Sequence, residues 1–115
     1  MDMEYEARVE QVTSGDDLYL SVSIGFDGLY KRVRVRLDGV DTPDAYMKPA
    51  DSDSLAAQIR KEVTDKLQDK KVRIRVLAIR NNSWSVILHY PDNDTEINLN
   101  DELVARGYIY EGRKK

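Results

Sequence analysis

The sequence predicts one domain of mainly β structure with two helices, in which five short strands form a barrel. Three observations carry this prediction. Polar and apolar residues alternate with a period of two in five separate segments, and turn-forming clusters separate neighbouring segments. One stretch in the middle of the chain instead repeats its apolar residues at helical spacing. A chain of 115 residues has the size of one domain and can bury a core without metal ions or disulfides.

The first three strands are predicted near the start of the chain. Alternation runs through residues 5–12, 18–24 and 30–37, and the last segment places three arginines opposite its apolar residues. The linking residues read Thr-Ser-Gly-Asp-Asp at 13–17 and Gly-Phe-Asp-Gly at 25–28, and both favour turns. Three strands joined by two short turns form a meander.

A loop and a helix follow the meander. Residues 38–53 are rich in Asp, Pro, Gly and Ser, which predicts a loop. From Leu55 to Leu67 the apolar residues recur at helical spacing, and Asp53 or Ser54 is placed to cap the start of this helix.

Two further strands and a short helix complete the predicted domain. Alternation returns in residues 71–79 and 84–90, and a loop is predicted over residues 91–96. Asn98 is placed to cap a helix over residues 99–106. The fold class is mainly β with α, an α+β arrangement. Five strands with a helix between strands 3 and 4, and a short C-terminal helix, have the connectivity of an OB-type barrel.

Composition limits the functions that the chain can have. Lys and Arg number 18 and Asp and Glu number 21, which gives a net charge of −3. Proteins that bind nucleic acid mainly by neutralising phosphates usually carry a basic excess, so a nucleic-acid role here must rest on a local site. Cysteine is absent, which excludes disulfides, thiolate metal sites and a cysteine nucleophile. No apolar run could span a bilayer and no secretory signal is visible, so we expect a cytoplasmic protein without membrane contact.

The segment Val-Arg-Leu-Asp-Gly-Val-Asp-Thr-Pro-Asp, residues 35–44, resembles the signature of the staphylococcal-nuclease-like (thermonuclease) family. That signature reads Arg-Leu, two variable residues, an aliphatic residue, Asp-Thr or Asp-Ala, Pro and Glu. Residues 13–17 are similar to the family's Asp-Gly-Asp-Thr turn, residues 70–74 to the start of its fourth strand, and residues 99–108 to a segment near its end. The resemblance covers nearly the whole chain, with the motifs in order on a matching strand pattern.

The resemblance implies a calcium-dependent site that hydrolyses phosphodiesters of DNA or RNA. Asp16 and Asp41 match the family's two metal carboxylates, and the carbonyl of Thr42 matches its backbone ligand. Such oxygen ligands suit calcium. Arg36 stands where the family holds the scissile phosphate with a planar guanidinium, and Asp44 stands where a glutamate orients the attacking water.

Two departures from the family's pattern predict weak or absent turnover. Asp44 is one methylene shorter than glutamate, so its carboxylate would retreat by about 1.5 Å, and a misplacement near 1 Å can cost about 100-fold in rate. Ser83 occupies the place of a second arginine at the start of strand 5, and an arginine in that role can be worth about 10³-fold. Arg80, on the strand before Ser83, is a candidate substitute for the missing arginine. Ser14 and Asp17 replace the turn's first aspartate and its threonine, which makes Asp17 a further candidate ligand.

Three functions stay open on the sequence. One is a nuclease-like enzyme with calcium as its cofactor, and another is a non-catalytic OB-fold module that binds nucleic acid or protein. The third is an interaction domain with no nucleic-acid role, which suits the acidic balance. Asp16 and Asp41 also fit an interpretation as ordinary turn residues, and Arg32 and Arg34 as a solvated strand face. The sequence gives no oligomeric state.

Overall fold

Within the described residues, helices and strands follow one another in the predicted order, with one strand added. The computed structural model describes residues 3–25, 28–42, 55–80 and 83–108. The elements are β1 (Met3–Ser14), β2 (Asp17–Ser23), β3 (Tyr30–Leu37), α1 (Leu55–Leu67), β4 (Lys71–Ile79), β5 (Trp84–Asp92), β6 (Thr95–Asn98) and α2 (Leu99–Ala105). The domain is therefore mainly β with two helices in the part of the chain that the structure describes. Neither helix there is long and apolar enough to cross a membrane.

Strands β1 to β5 close into a barrel of mixed pairing. Antiparallel pairs link β3, β2, β1, β4 and β5 in that spatial order, and β3 then pairs with β5 in parallel. The closing seam is short and consists of the residue pairs Val35–Trp84, Arg36–Ser85 and Leu37–Val86. On its other side Arg36 is opposite Asp17 of β2. This register places the last residues of β3 next to the turn between β1 and β2.

The barrel interior is filled by the apolar residues of the alternating segments. Val33, Val35 and Leu37 of β3 are buried, whereas the arginines between them face outward. Helix α1 lies against β1 and buries Ile59 and Val63, which are one helical turn apart. Each such side chain contributes about 1.5–3 kcal/mol by leaving water. The predicted alternation and helical spacing are confirmed, while the capping residues Asp53 and Ser54 lie outside the described residues.

The strand β6 is where the sequence interpretation was wrong. Residues 91–96 were expected to form a loop, but Pro91 and Asp92 continue β5 and pair with Glu96 and Thr95. Asn93 turns the chain with a φ of 58°, a conformation that asparagine tolerates. Pro91 lies beyond the last residue of β5 that pairs with β4, so its missing N–H leaves no gap in that ladder. A proline here is compatible with a strand because it stands near an edge.

One buried amide completes the barrel where β5 changes its pairing partner. The strand pairs with β3 as far as Val86 and with β6 from His89 onward. Between these two ladders, the backbone N–H of Leu88 donates to Oδ1 of Asn100 at 2.9 Å. Nδ2 of Asn100 donates to the carbonyl oxygens of Asp38 and Val86, both at 3.0 Å. The Asn100 side chain of α2 thus joins the backbone of β5 to that of Asp38.

Candidate functional site

The site begins at an irregularity near the end of β1. Between Val12 and Ser14 the pairing with β2 shifts, so Thr13 has no partner in the ladder. Bulges of this kind bend a strand and redirect its side chains. As a result Thr13, Ser14, Asp16 and Asp17 are all buried although all are polar. Polar groups inside a protein need hydrogen-bond partners, so the contacts of these side chains define what the site can do.

Gly15 allows the turn after β1 to pack directly against its neighbours. A Cβ at this position would lie 2.7 Å from Cγ2 of Ile59 and 2.8 Å from Cγ2 of Thr42. These distances are shorter than carbon–carbon contact. The N–H of Leu37 donates to the carbonyl oxygen of Asp16 at 2.9 Å and ties the end of β3 to the same turn. The turn at Gly15 therefore contacts three separate segments, namely α1, the segment that contains Thr42, and the end of β3.

Asp16 is 3% exposed, and its carboxylate accepts hydrogen bonds from three side chains. Its Oδ1 accepts from Oγ of Ser14 and from Oγ1 of Thr42, both at 3.0 Å. Its Oδ2 accepts from Nη2 of Arg36 at 3.3 Å, a long contact for an ion pair. The Arg36 side chain remains 50% exposed.

Asp17 forms a separate ion pair with Arg34. Nε of Arg34 donates to Oδ1 at 2.9 Å and Nη2 donates to Oδ2 at 2.5 Å, the forked geometry in which arginine binds carboxylates best. The hydrogen bonds to Asp17 raise the pKa of Arg34 above its usual value. Both oxygens of Asp17 are committed to this fork. The structure therefore gives Asp17 a role in holding Arg34, which the sequence did not indicate.

These side chains surround one pocket of about 380 Å³. Asp41, which is exposed, completes its wall, and the N–H of Asp41 donates to the carbonyl oxygen of Tyr108 at 3.2 Å. The lining comprises Thr13, Ser14, Asp16, Asp17, Tyr19, Arg34, Arg36, Asp41 and Thr42. Five residues that the sequence proposed for the site thus border the same space, and they come from three segments: Asp16, Asp17, Arg36, Asp41 and Thr42. Asp44 lies outside the described residues.

The pocket fits a cation in part. Among the described residues no group of three His, Asp or Glu side chains is arranged to hold a metal ion. Asp16 and Asp41 nevertheless line the same space, and calcium accepts carbonyl and water oxygens as well as carboxylates. The two carboxylate oxygens of Asp16 offer about four acceptor positions, of which three are used. Oγ1 of Thr13 is buried and has no hydrogen-bond partner among the described residues.

The formal charge of the pocket favours a cation. Of the described residues that line it, three carry carboxylates and two carry guanidinium groups. This leaves an excess of one negative charge around a partly enclosed space. A phosphate alone would be repelled by that excess, whereas a divalent cation reverses its sign.

Ser83 lies beside a neighbouring groove rather than in the pocket. This groove has a volume of about 160 Å³, and its lining comprises Lys31, Arg32, Val33, Arg34, Arg80, Ser83 and Trp84. The N–H of Arg80 donates to the carbonyl oxygen of Ser83 at 2.8 Å, which holds the ends of β4 and β5 together. Arg34 lines both the pocket and the groove, so the two spaces are adjacent.

Comparison with known proteins adds no relative, since no family model and no curated protein matches this chain. The nuclease-like assignment therefore rests on the sequence motifs and on the pocket. The roles of Asp16, Asp41, Thr42, Arg36 and Asp44 stay predictions.

Proposed function

We propose that this chain is a nuclease-like domain of the OB-type barrel class, whose reaction is calcium-dependent hydrolysis of DNA or RNA phosphodiesters with weak turnover. The observation that carries the proposal is the convergence of Asp16, Asp41 and Arg36 on one pocket with an excess of negative charge. A site with that charge and that arginine requires a cation before it can accept a phosphate.

Each residue has a defined part in this proposal. Asp16, Asp41 and the carbonyl of Thr42 hold calcium, which when bound stabilises negative charge on the phosphoryl oxygens. Arg36 donates to a phosphate oxygen from its exposed side, while its contact with Asp16 keeps the guanidinium oriented. Asp44 accepts a proton from the attacking water or orients it. The hydroxyls of Ser14 and Thr42 hold the Asp16 carboxylate in position.

Weak turnover follows from what the pocket lacks. Arg34 is the second guanidinium at its wall, and it is forked onto Asp17 rather than directed at a phosphate. Ser83, in the place of the expected second arginine, has no charge to offer and borders the neighbouring groove. The shorter side chain of Asp44 adds a further loss.

The decisive experiment measures cleavage of single-stranded DNA with calcium and with a chelator. We expect slow cleavage that the chelator abolishes. Asp41→Asn should lower the cleavage rate by at least about 100-fold, because loss of a metal ligand costs more activity than loss of a residue that only orients a ligand. Asp65→Asn is the matched control, since Asp65 is an exposed carboxylate of α1 that pairs only with Lys61 in the described part of the chain. Equal cleavage by the wild type and Asp41→Asn would refute the metal-site assignment.

A second candidate function, a non-catalytic nucleic-acid-binding or protein-binding module, is favoured by one specific observation. Asp16 already has three donors and Asp17 is forked onto Arg34, so the polar cluster is stable without an ion. Salt-sensitive DNA binding without cleavage would support this module. Calcium that binds only the folded chain stabilises it by about 2.7 kcal/mol when its concentration is 100 times the dissociation constant. The unfolding temperature then rises. Binding of DNA without such stabilisation would favour the module over the enzyme.

A further inference from the structure

The groove next to the pocket differs from it in charge. Four of its lining residues, Lys31, Arg32, Arg34 and Arg80, are cationic, and none of the described lining residues is acidic. The chain as a whole carries a net charge of −3, so this concentration of positive charge is local. A basic groove of this kind attracts phosphate without help from a metal ion.

The groove lies along a regular row of arginines. Arg32, Arg34 and Arg36 alternate along the outward face of β3, so their Cα atoms are about 6.7 Å apart. That step is comparable with the spacing of neighbouring phosphates in an extended nucleic-acid strand. Arg36 faces the pocket, Arg34 lines both spaces, and Arg32 lines the groove. A strand whose phosphate is held by Arg36 would reach the groove with its next phosphates.

Two of the four cations have no ion-pair partner in the part of the chain that the structure describes. Arg34 is forked onto Asp17, and Nε of Arg32 donates to Oε1 of Glu10 at 2.9 Å while its guanidinium lies 4.2 Å from the Tyr19 ring. Lys31 and Arg80 have no ion-pair partner among the described residues, and both line the groove. These two side chains supply its uncompensated positive charge.

We propose that this groove binds the sugar–phosphate backbone of a single-stranded nucleic acid that extends from the pocket, so that the strand is held outside the pocket as well as in it. The inference rests on the proposed function for the phosphate at Arg36. Its contacts are to phosphates, because Trp84 is half-buried beside the Tyr5 ring and the Tyr19 ring is covered by Arg32. Binding in the groove is therefore sensitive to salt and indifferent to base sequence.

The test measures binding of a fluorescent oligothymidylate in a chelator across a range of salt concentrations. Under these conditions hydrolysis and calcium play no part, so the groove is assayed alone. The variant is Lys31→Gln with Arg80→Gln. The matched control is Lys61→Gln with Lys70→Gln, which removes the same charge from two exposed positions outside the groove.

We expect the groove variant to bind roughly 2- to 30-fold more weakly than the control, since each exposed ion pair is worth little. The slope of log affinity against log salt should fall by about 1.4, the value for two lost phosphate contacts on a single strand. Equal slopes for the two variants would overturn the inference, as would duplex DNA that binds as tightly as the single strand. A failure of the proposed function looks different, because calcium-dependent cleavage is then absent while binding in the groove persists.

Discussion

Replacing Gly15 by alanine tests whether close packing holds the candidate site together. A Cβ at this residue would lie 2.7 Å from Cγ2 of Ile59, 2.8 Å from Cγ2 of Thr42 and 2.9 Å from Oγ1 of Thr42. Carbon atoms in contact are normally about 3.5–4 Å apart, so these neighbours must move by about 1 Å. The φ of Gly15 is outside the left-handed region, so steric contact rather than backbone strain causes the effect.

The expected cost has two parts. Forcing an extra methyl group into a packed site costs about 1–3 kcal/mol. Moving Thr42 also weakens its hydrogen bond to the Asp16 carboxylate, and a complete loss of a bond to a charged group costs about 1.5–3 kcal/mol. Because the second loss is partial, we expect the free energy of unfolding to fall by about 2–4 kcal/mol in total.

Urea unfolding monitored by the fluorescence of Trp84, the single tryptophan, measures this change. The midpoint should fall while the slope of free energy against urea stays constant. Gly25→Ala is the matched control, because a Cβ there meets only Cδ1 of Leu29 at an ordinary 3.7 Å. Thr42→Ser removes one of the two obstructing methyl groups and keeps the hydroxyl, so the double variant should recover part of the loss. Equal stability of the Gly15 and Gly25 variants, without coupling to Thr42, would refute the reasoning.

Two further predictions concern α2. Partial burial tends to raise the pKa of Glu102, but hydrogen bonds from Lys66 and Tyr90, with the charge of Lys66, lower it overall. The unfolded chain therefore binds a proton at Glu102 more tightly than the folded chain does. The stability that ionised Glu102 contributes is present above about pH 4.3 and disappears as the pH falls further. In urea unfolding at a series of pH values, Glu102→Gln should reduce this loss of stability at low pH. Asn100→Ala removes three hydrogen bonds from backbone groups, so we expect a loss of about 2–4 kcal/mol, against about 1 kcal/mol for the exposed cap in Asn98→Ala. Calorimetry of both variants checks the order, and a larger loss for Asn98→Ala would contradict this account.

Much of the fold could be predicted because each barrel strand has one face in the core. Alternation located β3 and β4 with the bounds that the structure gives, and helical spacing located α1. Asn98 caps α2 as expected, since its side chain accepts from the N–H of Asp101 at 3.0 Å. Strand β6 was missed because its four residues are too few and too polar to show a clear alternation, and because a proline such as Pro91 usually marks the end of a strand. Its pairing depends on the turn at Asn93, which was not predicted from the sequence.

Only those residues of the candidate site that belong to a recognisable sequence motif could be predicted. Asp16, Asp41, Thr42 and Arg36 were chosen by resemblance, and they border one pocket in the structure. The partners of these residues could not be predicted, because they follow from a register shift at Thr13 and from the pairing of β2 with β3. No local sequence signal specifies that Arg34 meets Asp17. The contact of Gly15 with α1 likewise depends on how distant segments pack.

The parallel seam between β3 and β5 has a consequence for when the groove beside the pocket exists. It comprises three residue pairs, and Arg36 is the middle residue on the β3 side. A short stretch of paired backbone can separate at a lower free energy than the long antiparallel ladders around it. Such an opening leaves Arg36 opposite Asp17 of β2 but separates the β3 side of the groove from Ser83 and Trp84. The lifetime of an intact groove is thus set by this junction, and ligands that bridge the two strands would lengthen it.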